Sequence, residues 1–224
     1  MSLDSTLIVP EQPRPRSVPL RYAVHAWPVV GSEALPEPKR LDPALHVFAQ
    51  RRTRRAFGPV DDEALSALLW PVAGCRGQAE SDMGFEIEHR GVPSAGAIHP
   101  IHVLICDPVC RQLRRYDGRA HALQRLECAV PQALVDACEE LLPRQEGQLM
   151  LFAAEPGKTQ AKYTHADTLV WRDAGVVQGA MAIAAEAVGL NFCLLGITGD
   201  PWIGHLAQQG KLVGVGAAIV GTRA

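Results

Sequence analysis

The feature that most restricts the fold of this chain is a long apolar helix followed by two apolar strands. Residues 167–188 are periodic and mostly small, and Gly189 supplies a stop signal for a helix. The runs NFCLLG (191–196) and LVGVGAAIVG (212–221) predict two buried strands, separated by a short helix near residues 201–206. A chain of this kind must stack a sheet against helices to bury both.

Small residues are frequent in that helix. Gly175 and Gly179 stand four residues apart, so they share a face and would allow another helix to approach closely. This region either packs tightly inside the chain or forms a subunit interface, and the sequence leaves both alternatives open. The apolar residues expected together on one side are Leu169, Val176, Val177, Ala180, Ile183, Ala184 and Ala187.

Three shorter segments predict further helices. LDPALHVFAQ (41–50) has Asp42 as a cap and Pro43 at the first helical position. VDDEALSALL (60–69) begins after Asp61 and is expected to end before Pro71. A third helix is predicted in PQALVDACEELL (131–142).

Strands are predicted between these helices. HVLIC (102–106) and QLMLFAAE (148–155) are apolar runs of strand length, and RRYDGRAHAL (114–123) predicts a hairpin that turns at Asp117–Gly118. Because helices, strands and a hairpin are interspersed, an α+β sandwich fits better than a regularly alternating parallel sheet.

Composition separates an N-terminal arm from one domain. Residues 1–41 contain seven of the 17 prolines and no usable periodicity, so we predict an arm at 1–41 and a single domain at 42–224. The net charge of −2 argues against a general nucleic-acid binder, and the longest weakly polar run, 176–190, is too short and polar to span a membrane. The six cysteines lack zinc-binding spacing, which predicts reduced thiols, no metal site and a cytoplasmic protein.

Positive charge is concentrated in one run, QRRTRRAFGP (50–59). Arg51, Arg52, Arg54 and Arg55 surround Thr53 at the end of the first predicted helix. Guanidinium groups match phosphate oxygens in shape and charge, and a hydroxyl adds another donor. The run is therefore a solvated basic patch, a nucleic-acid contact, or a site for a doubly negative group such as a phosphate monoester.

A second candidate site is GVPSAGAIHP (91–100). Residues 93–96 have little side-chain bulk, so their backbone amides can approach a flat ligand. His99 either lines the pocket or holds the loop through a hydrogen bond. We expect His102 and His121 to be packing residues and Asp173 to be a surface or interface charge. The glycines near the C-terminus do not form a dinucleotide motif, because no βαβ unit follows them.

Five segments, in the right order over about residues 42–224, together resemble the nitroreductase superfamily. RRTRRAF is similar to its FMN motif Arg-x-Ser/Thr-x-Arg/Lys-x-Phe. PSAGAIHPIHVLI resembles the Pro-Ser-Ala-Gly-x-x-His-Pro signature of the branch that oxidises azolines to thiazoles and oxazoles. Further motifs of that branch resemble three other segments of this chain: RRYDGRAHALQRL, RDAGVVQGAMAIAAEAVGLNFCLLG and the final VGTRA. The resemblance implies a homodimeric α+β sandwich, with a mostly antiparallel sheet flanked by helices and FMN bound between subunits.

The resemblance also implies roles for individual residues. Arg51, Thr53 and Arg223 are expected to meet the FMN phosphate, Arg55 to lie near the N1/O2 edge of the flavin, and Arg52 to contact the ring or ribityl chain. A fixed cation at the N1/O2 edge would favour the reduced flavin. The other cofactor-binding residues implied are Pro93, Ser94, Ala95 and Gly96 from the second subunit, and Leu195 and Gly196 near the N5/O4 edge.

The reaction implied is ping-pong hydride transfer from NAD(P)H through flavin N5 to a small nitroaromatic or quinone-like acceptor. One alternative is an azoline dehydrogenase that forms thiazole or oxazole rings in a modified peptide. That branch uses a Lys–Tyr pair, for which Lys162 and Tyr163 are candidates; the alternative, a solvated lysine and a packed tyrosine in a loop, has the greater weight from the sequence alone. A second alternative is a non-catalytic flavin-binding or assembly subunit, because Val176, Val177 and Gly179 replace the branch's common His and Asn.

Overall fold

The computed structural model describes residues 43–107, 111–206 and 211–223. The predicted arm at 1–41 and the predicted cap Asp42 lie outside the described residues. The helices are α1 Pro43–Gln50, α2 Asp62–Ala73, α3 Gln132–Leu141, α4 Pro156–Gln160 and α5 Asp167–Ala187. The strands are β1 Gly77–Ala79, β2 Ile87–His89, β3 Ile101–Cys106, β4 Gln112–Asp117, β5 Ala122–Ala129, β6 Gln148–Ala154, β7 Leu190–Leu195 and β8 Val213–Thr222. Short 3₁₀ turns cover Ala95–Ala97 and Ile203–Leu206.

Six strands form one sheet in the order β5-β4-β3-β6-β8-β7, and every neighbouring pair is antiparallel. β1 and β2 form a separate two-stranded sheet. The centre of the large sheet is fully buried, since every residue of β6 is buried. The expected α+β sandwich with an antiparallel sheet between helices is therefore confirmed.

Alternation along the strands gives each face of the sheet its own core. Phe152 and Ile105 point to the side covered by α2 and α5, whereas Leu104 and Leu151 point to the side covered by α3 and the 3₁₀ turn Ile203–Leu206. A strand that is buried on both faces must be apolar at every position, which explains the continuous apolar run predicted as β6.

The α2 helix begins as predicted but runs past its expected end. The Asp61 carboxylate accepts a hydrogen bond from the Ala64 N–H at 2.8 Å, which caps the first turn. Leu65 and Leu68 are completely buried. Pro71 does not terminate the helix; it lies inside the last turn, and the Gly74 N–H still reaches the Trp70 carbonyl at 3.0 Å. One missing N–H so close to the end costs the helix little of its hydrogen bonding.

The α5 helix has the predicted length, but its buried face differs from the predicted one. The stripe packed against the chain is Val170, Ala174, Val177, Met181 and Ala185. The predicted side overlaps this stripe only in part: Val177 is buried and Ala180 and Ala184 pack against the core, whereas Val176 is 37% exposed. Apolar residues occur nearly all round this helix, so periodicity alone did not identify the side that meets the sheet.

Gly175 and Gly179 do not mediate packing within the described part of the chain. A Cβ atom added to either residue would meet no atom within 4 Å. Of the two alternatives for these glycines, close packing inside one chain is therefore wrong for the residues described. No helix in the described ranges has the length and apolar character needed to cross a lipid bilayer.

Candidate functional site

Distant parts of the chain meet at Glu186, near the end of α5. The backbone of Gly58 pairs with that of Thr222 (Gly58 N–H to Thr222 carbonyl, 3.0 Å), which holds the arginine run beside the end of β8. Arg54 Nη1 lies 2.5 Å from Glu186 Oε2, and Arg223 Nη2 lies 2.8 Å from Oε1. The two ends of the described chain thus bring their arginines to one carboxylate.

The charge of Glu186 is held in place by these contacts. The hydrogen bond from Arg54, assisted by the charge of Arg223, lowers the pKa of Glu186 below its ordinary value despite the opposing effect of burial. The Glu186 side chain is only 7% exposed, so it anchors the arginines from below. We call the arginines of the run 51–55 together with Arg223 the arginine cluster. One carboxylate cannot neutralise all of them, so the arginine cluster keeps a net positive charge.

The arginine cluster borders a large apolar cavity of about 880 Å³. Arg51 and Thr53 line one part of it, and Arg51 Nη1 lies 3.4 Å from the Thr53 hydroxyl. The rest of its wall is apolar or free of side chains: Phe48, Gly175, Val176, Gly179, Ala180, Ala182, Ile183, Ala184, Phe192 and Leu194. Such a cavity suits a flat, largely apolar ligand that ends in an anionic group.

Three other predicted cofactor residues lie next to this cavity but not in its lining. The Arg52 guanidinium donates to the carbonyls of Ala49 and Arg51, both at 3.1 Å, and so caps the end of α1. The charge of Arg55 acts on the thiol of Cys193, whose pKa is nevertheless raised by burial. Leu195 packs on the same side of β7 as Cys193.

The loop 93–99 is anchored to α5 through a buried carboxylate. Ser94 Oγ donates to Asp173 at 2.5 Å, and the Ala95 N–H donates to the same carboxylate at 3.2 Å. Asp173 is 6% exposed, so of the two expected roles, surface or interface charge, the surface one is wrong. The His99 N–H also donates to Ser94 Oγ at 2.9 Å, which closes the loop on itself.

His99 fulfils both of its predicted roles. Its Nε2 lies 2.9 Å from the Glu88 carbonyl oxygen, and the residue also lines a second cavity of about 550 Å³, together with Pro93 and Ser94. Burial, followed by the positive charge of Arg90, lowers the pKa of His99 to about 4. The imidazole is therefore neutral near pH 7.

Lys162 and Tyr163 lie against the same loop. Gly96 has φ +65°, and a Cβ atom added there would be 2.9 Å from both Lys162 Nζ and Tyr163 Oη. The Lys162 ammonium is also 5.7 Å from the centre of the Tyr163 ring. The structure therefore brings the predicted Lys–Tyr pair together with the predicted ligand loop.

The pattern of cavity, arginine cluster and loop agrees with a comparison against protein families. Residues 48–207 match the model of the nitroreductase family. The chain belongs to the nitroreductase family. The resemblance seen in the sequence is thereby confirmed, as is the expectation of a nitroreductase-type oxidoreductase. No curated protein sequence matches this nitroreductase significantly.

Solved structures share its fold. A protein described as a nitroreductase from Ralstonia eutropha JMP134 is 23% identical, with 85% of this chain and 88% of that chain covered and a TM-score of 0.61. The E. coli microcin synthetase McbBCD complex with truncated pro-MccB17 is similar at 17% identity, 91% and 85% coverage and a TM-score of 0.58. A Desulfovibrio desulfuricans protein described as a nitroreductase in complex with FMN is 18% identical, with 83% and 88% coverage and a TM-score of 0.52.

Several site residues of this nitroreductase escaped the sequence analysis. Glu186 and Asp173 organise the two candidate regions, yet their partners Arg54 and Ser94 lie 132 and 79 residues away in the chain. Neither His102 nor His121 is a plain packing residue. His102 pairs with Glu155 at 3.0 Å, and His121 bridges the hydroxyls of Tyr116 and Ser66. No local pattern reveals pairs of this kind; only the fold brings them together.

The lowered pKa of His99 predicts a pH-dependent stability. The unfolded chain binds a proton at His99 below about pH 6.5, whereas the folded chain resists it down to about pH 4, so stability falls as pH drops through this window. Between pH 7 and pH 5 this residue should cost about 2 kcal/mol of unfolding free energy. Urea unfolding of the wild type and of His99→Asn at pH 7 and pH 5 measures this loss of unfolding free energy. Asparagine is chosen because it tolerates the positive φ of 49° at this position. An equal loss in both proteins would contradict the assignment.

Proposed function

We propose that this protein is an FMN-dependent oxidoreductase of the nitroreductase type that works as a homodimer. It would take hydride from NAD(P)H and reduce a small organic acceptor, such as a nitroaromatic or a quinone. The observation that carries the proposal is the arginine cluster at the edge of the apolar 880 Å³ cavity. When bound, FMN supplies the two-electron chemistry, alternating between hydride acceptance from the donor and reduction of the acceptor.

The donor set fits the FMN phosphate. Arg51 and Thr53 already face the cavity, and Arg223 is held beside them through Glu186. Guanidinium and hydroxyl donors of this kind bind phosphate through short, charge-assisted hydrogen bonds. The FMN complex of the Desulfovibrio desulfuricans protein, which shares the fold, supports the same choice of cofactor. Contact from Arg52 to the flavin would require its side chain to leave the carbonyl of Ala49.

Two half-sites on one helix support a homodimer. The arginine cluster is anchored at Glu186 and the loop 93–96 at Asp173, which are 13 residues apart on α5, or about 20 Å. The midpoint between them is Gly179–Ala180, on the face that the described chain leaves open at Gly179. If two copies of α5 cross antiparallel at this midpoint, the loop of one copy meets the arginine cluster of the other. Pro93, Ser94, Ala95 and Gly96 would then border FMN from the second subunit, with Leu195 and Gly196 near its N5/O4 edge.

Gly179→Glu tests this arrangement directly. The open surroundings of Gly179 allow the folded monomer to accept a side chain, and replacing a helical glycine raises helix propensity by up to about 1 kcal/mol. A charged side chain at the centre of the proposed helix crossing should nevertheless convert the dimer to a monomer and abolish FMN retention. Sedimentation measures the oligomeric state and the visible spectrum measures retained FMN; circular dichroism checks that the variant is folded, and Arg125→Gln serves as a surface control. A dimeric Gly179→Glu protein that retains FMN would contradict the proposal.

A second candidate function, azoline oxidation in a modified peptide, is favoured by the contact of Lys162 and Tyr163 with Gly96. In this reading Tyr163 removes a proton from the substrate while Lys162 stabilises the phenolate. Tyr163→Phe should then lower azoline oxidation by about 100-fold or more while FMN affinity stays unchanged. If nitroaromatic reduction by NAD(P)H proceeds at the wild-type rate in Tyr163→Phe, and azolines are not oxidised by either protein, the first function stands alone.

The decisive experiment is the visible spectrum of the purified protein followed by anaerobic mixing with NADH and NADPH. An oxidised-flavin spectrum that bleaches with either donor and returns with a nitroaromatic or quinone supports the proposed oxidoreductase. A yellow protein that neither donor bleaches would instead indicate a flavin-binding or assembly subunit. A colourless protein that FMN does not reconstitute would contradict both.

A further inference from the structure

A small polar pocket of about 140 Å³ lies between β3, β4 and the α4 helix, and none of the arginines 51–55 or Arg223 lines it. Four cationic side chains line it: Arg90, Arg115, Arg119 and Lys158. Among the residues that the structure describes, two carboxylates line it, those of Glu88 and Asp117. The wall of the pocket therefore carries an excess of positive charge.

Both carboxylates are already engaged. The Glu88 carboxylate forms an ion pair with Arg90 at 2.7 Å and another with Arg119 at 2.6 Å. Burial would raise the pKa of Glu88, but the hydrogen bonds from Arg119 and Arg90 and their charges outweigh it, so the pKa lies below its ordinary value. Asp117 accepts from the N–H groups of Arg119 and Ala120 and from the Gln124 amide. These contacts account for Arg90 and Arg119 but leave the other two cations without a carboxylate.

Among the described residues, no carboxylate forms an ion pair with Arg115. Its Nε and Nη2 donate to Gln124 Oε1, the latter at 2.7 Å, and its Nη1 lies 3.4 Å from His102 Nδ1. His102 Nε2 lies 3.0 Å from Glu155, so the tautomer with its proton on Nε2 donates to Glu155 and accepts from Arg115. The guanidinium is thereby fixed in direction without an ion pair, and the Glu155 carboxylate acts on it only through space.

The Lys158 ammonium makes no hydrogen bond or ion pair within the described ranges of the chain. Its ammonium stands 5.1 Å from the centre of the Phe85 ring, and burial lowers its pKa. The Glu155 carboxylate lies more than 4.0 Å from the Lys158 ammonium, which is too far for an ion pair. Its charge therefore acts on the ammonium only through space. A partly buried ammonium without an acceptor is unfavourable unless an anion joins it.

We propose that this pocket binds one oxyanion group, a carboxylate or a phosphate, between Arg115 and Lys158. The pocket shares Glu88 and Arg90 with the 550 Å³ cavity beside the loop 93–99. The oxyanion can therefore be a free phosphate or the charged end of a ligand whose body fills that cavity. The proposal does not depend on flavin binding, since none of its residues belongs to the arginine cluster.

Calorimetric titration with inorganic phosphate, benzoate and neutral benzamide tests the proposed oxyanion site between Arg115 and Lys158. The protein is first saturated with FMN, so that the arginine cluster is not available to phosphate; Arg51→Gln serves the same purpose if FMN does not bind. We expect at least one anion to bind with one-to-one stoichiometry and benzamide not to bind. Lys158→Met and Arg115→Gln should each weaken the anion by about tenfold or more, whereas Arg125→Gln, at an exposed position on β5, should have no effect.

The outcomes separate the two sources and can overturn the proposal. Tighter binding of benzoate identifies the carboxylate of a ring-bearing ligand, and tighter binding of phosphate identifies a free or ester phosphate. Absence of saturable binding by either anion, or equal affinity in Lys158→Met and Arg125→Gln, overturns it. Melting temperatures of each variant exclude unfolding as the cause, and Arg115→Gln decides the question if Lys158→Met does not fold.

Discussion

The double variant Arg51→Gln, Arg223→Gln is expected to bind FMN about 100-fold more weakly than the wild type, or worse. Each arginine would give a charge-assisted hydrogen bond to the phosphate, and loss of one such bond typically costs about 1.5–3 kcal/mol. Glutamine keeps part of the side-chain length and removes the charge. Quenching of flavin fluorescence on titration measures the affinity.

The single variants divide this effect between direct and indirect contributions. Arg51→Gln removes a group that faces the cavity, whereas Arg223→Gln also removes one partner of Glu186, which Arg54 still holds. Arg125→Gln removes an exposed arginine on β5 and should leave the affinity unchanged. Wild-type affinity in the double variant would mean that the FMN phosphate lies elsewhere.

Asp173→Ala is expected to destabilise the fold by about 3 kcal/mol or more. The substitution leaves the Ser94 hydroxyl and the Ala95 N–H without their acceptor beside a buried helix, and each unsatisfied buried donor costs about 1–3 kcal/mol. The free energy of unfolding from urea titration measures the loss. We expect the loop 93–99 to become susceptible to proteolysis in the same variant.

Two matched variants control this experiment. Asp173→Asn keeps an oxygen acceptor for Ala95 and should lose clearly less stability than Asp173→Ala. Asp167→Ala removes an acidic residue from the first turn of the same helix, where the interaction with the helix dipole contributes at most about 1 kcal/mol. Equal losses for Asp167→Ala and Asp173→Ala would refute the role of Asp173 as the anchor of the loop.

Most of the fold could be predicted from the sequence because its signals are local. Asp61 caps α2, Gly189 at φ +79° follows α5, and the run that became β6 is apolar at almost every position. The face of α5 could not be predicted, since apolar residues surround that helix and only the sheet selects Val170, Ala174 and Met181. The end of α2 was misplaced because a proline in the last turn removes only one backbone hydrogen bond.

The candidate site was predictable where a motif is contiguous and not where charges pair across the chain. The run at 51–55 and the loop 93–96 are each visible as consecutive letters. The anchoring carboxylates Asp173 and Glu186 are not, because a carboxylate within a helical segment normally indicates a solvated position. Burial reverses that interpretation only when a specific donor is present, and the donors come from distant segments.

The separation of Asp173 and Glu186 along α5 has a genetic consequence. If each flavin pocket is built from the arginines of one copy and the loop of the other, a variant defective in Arg51 and a variant defective in Gly96 carry lesions in different halves. Mixed and reassembled, the two inactive proteins would form hybrid dimers with one intact pocket and one doubly damaged pocket. Partial recovery of colour and turnover in the mixture would be complementation between subunits, which a pocket contained in one chain cannot produce.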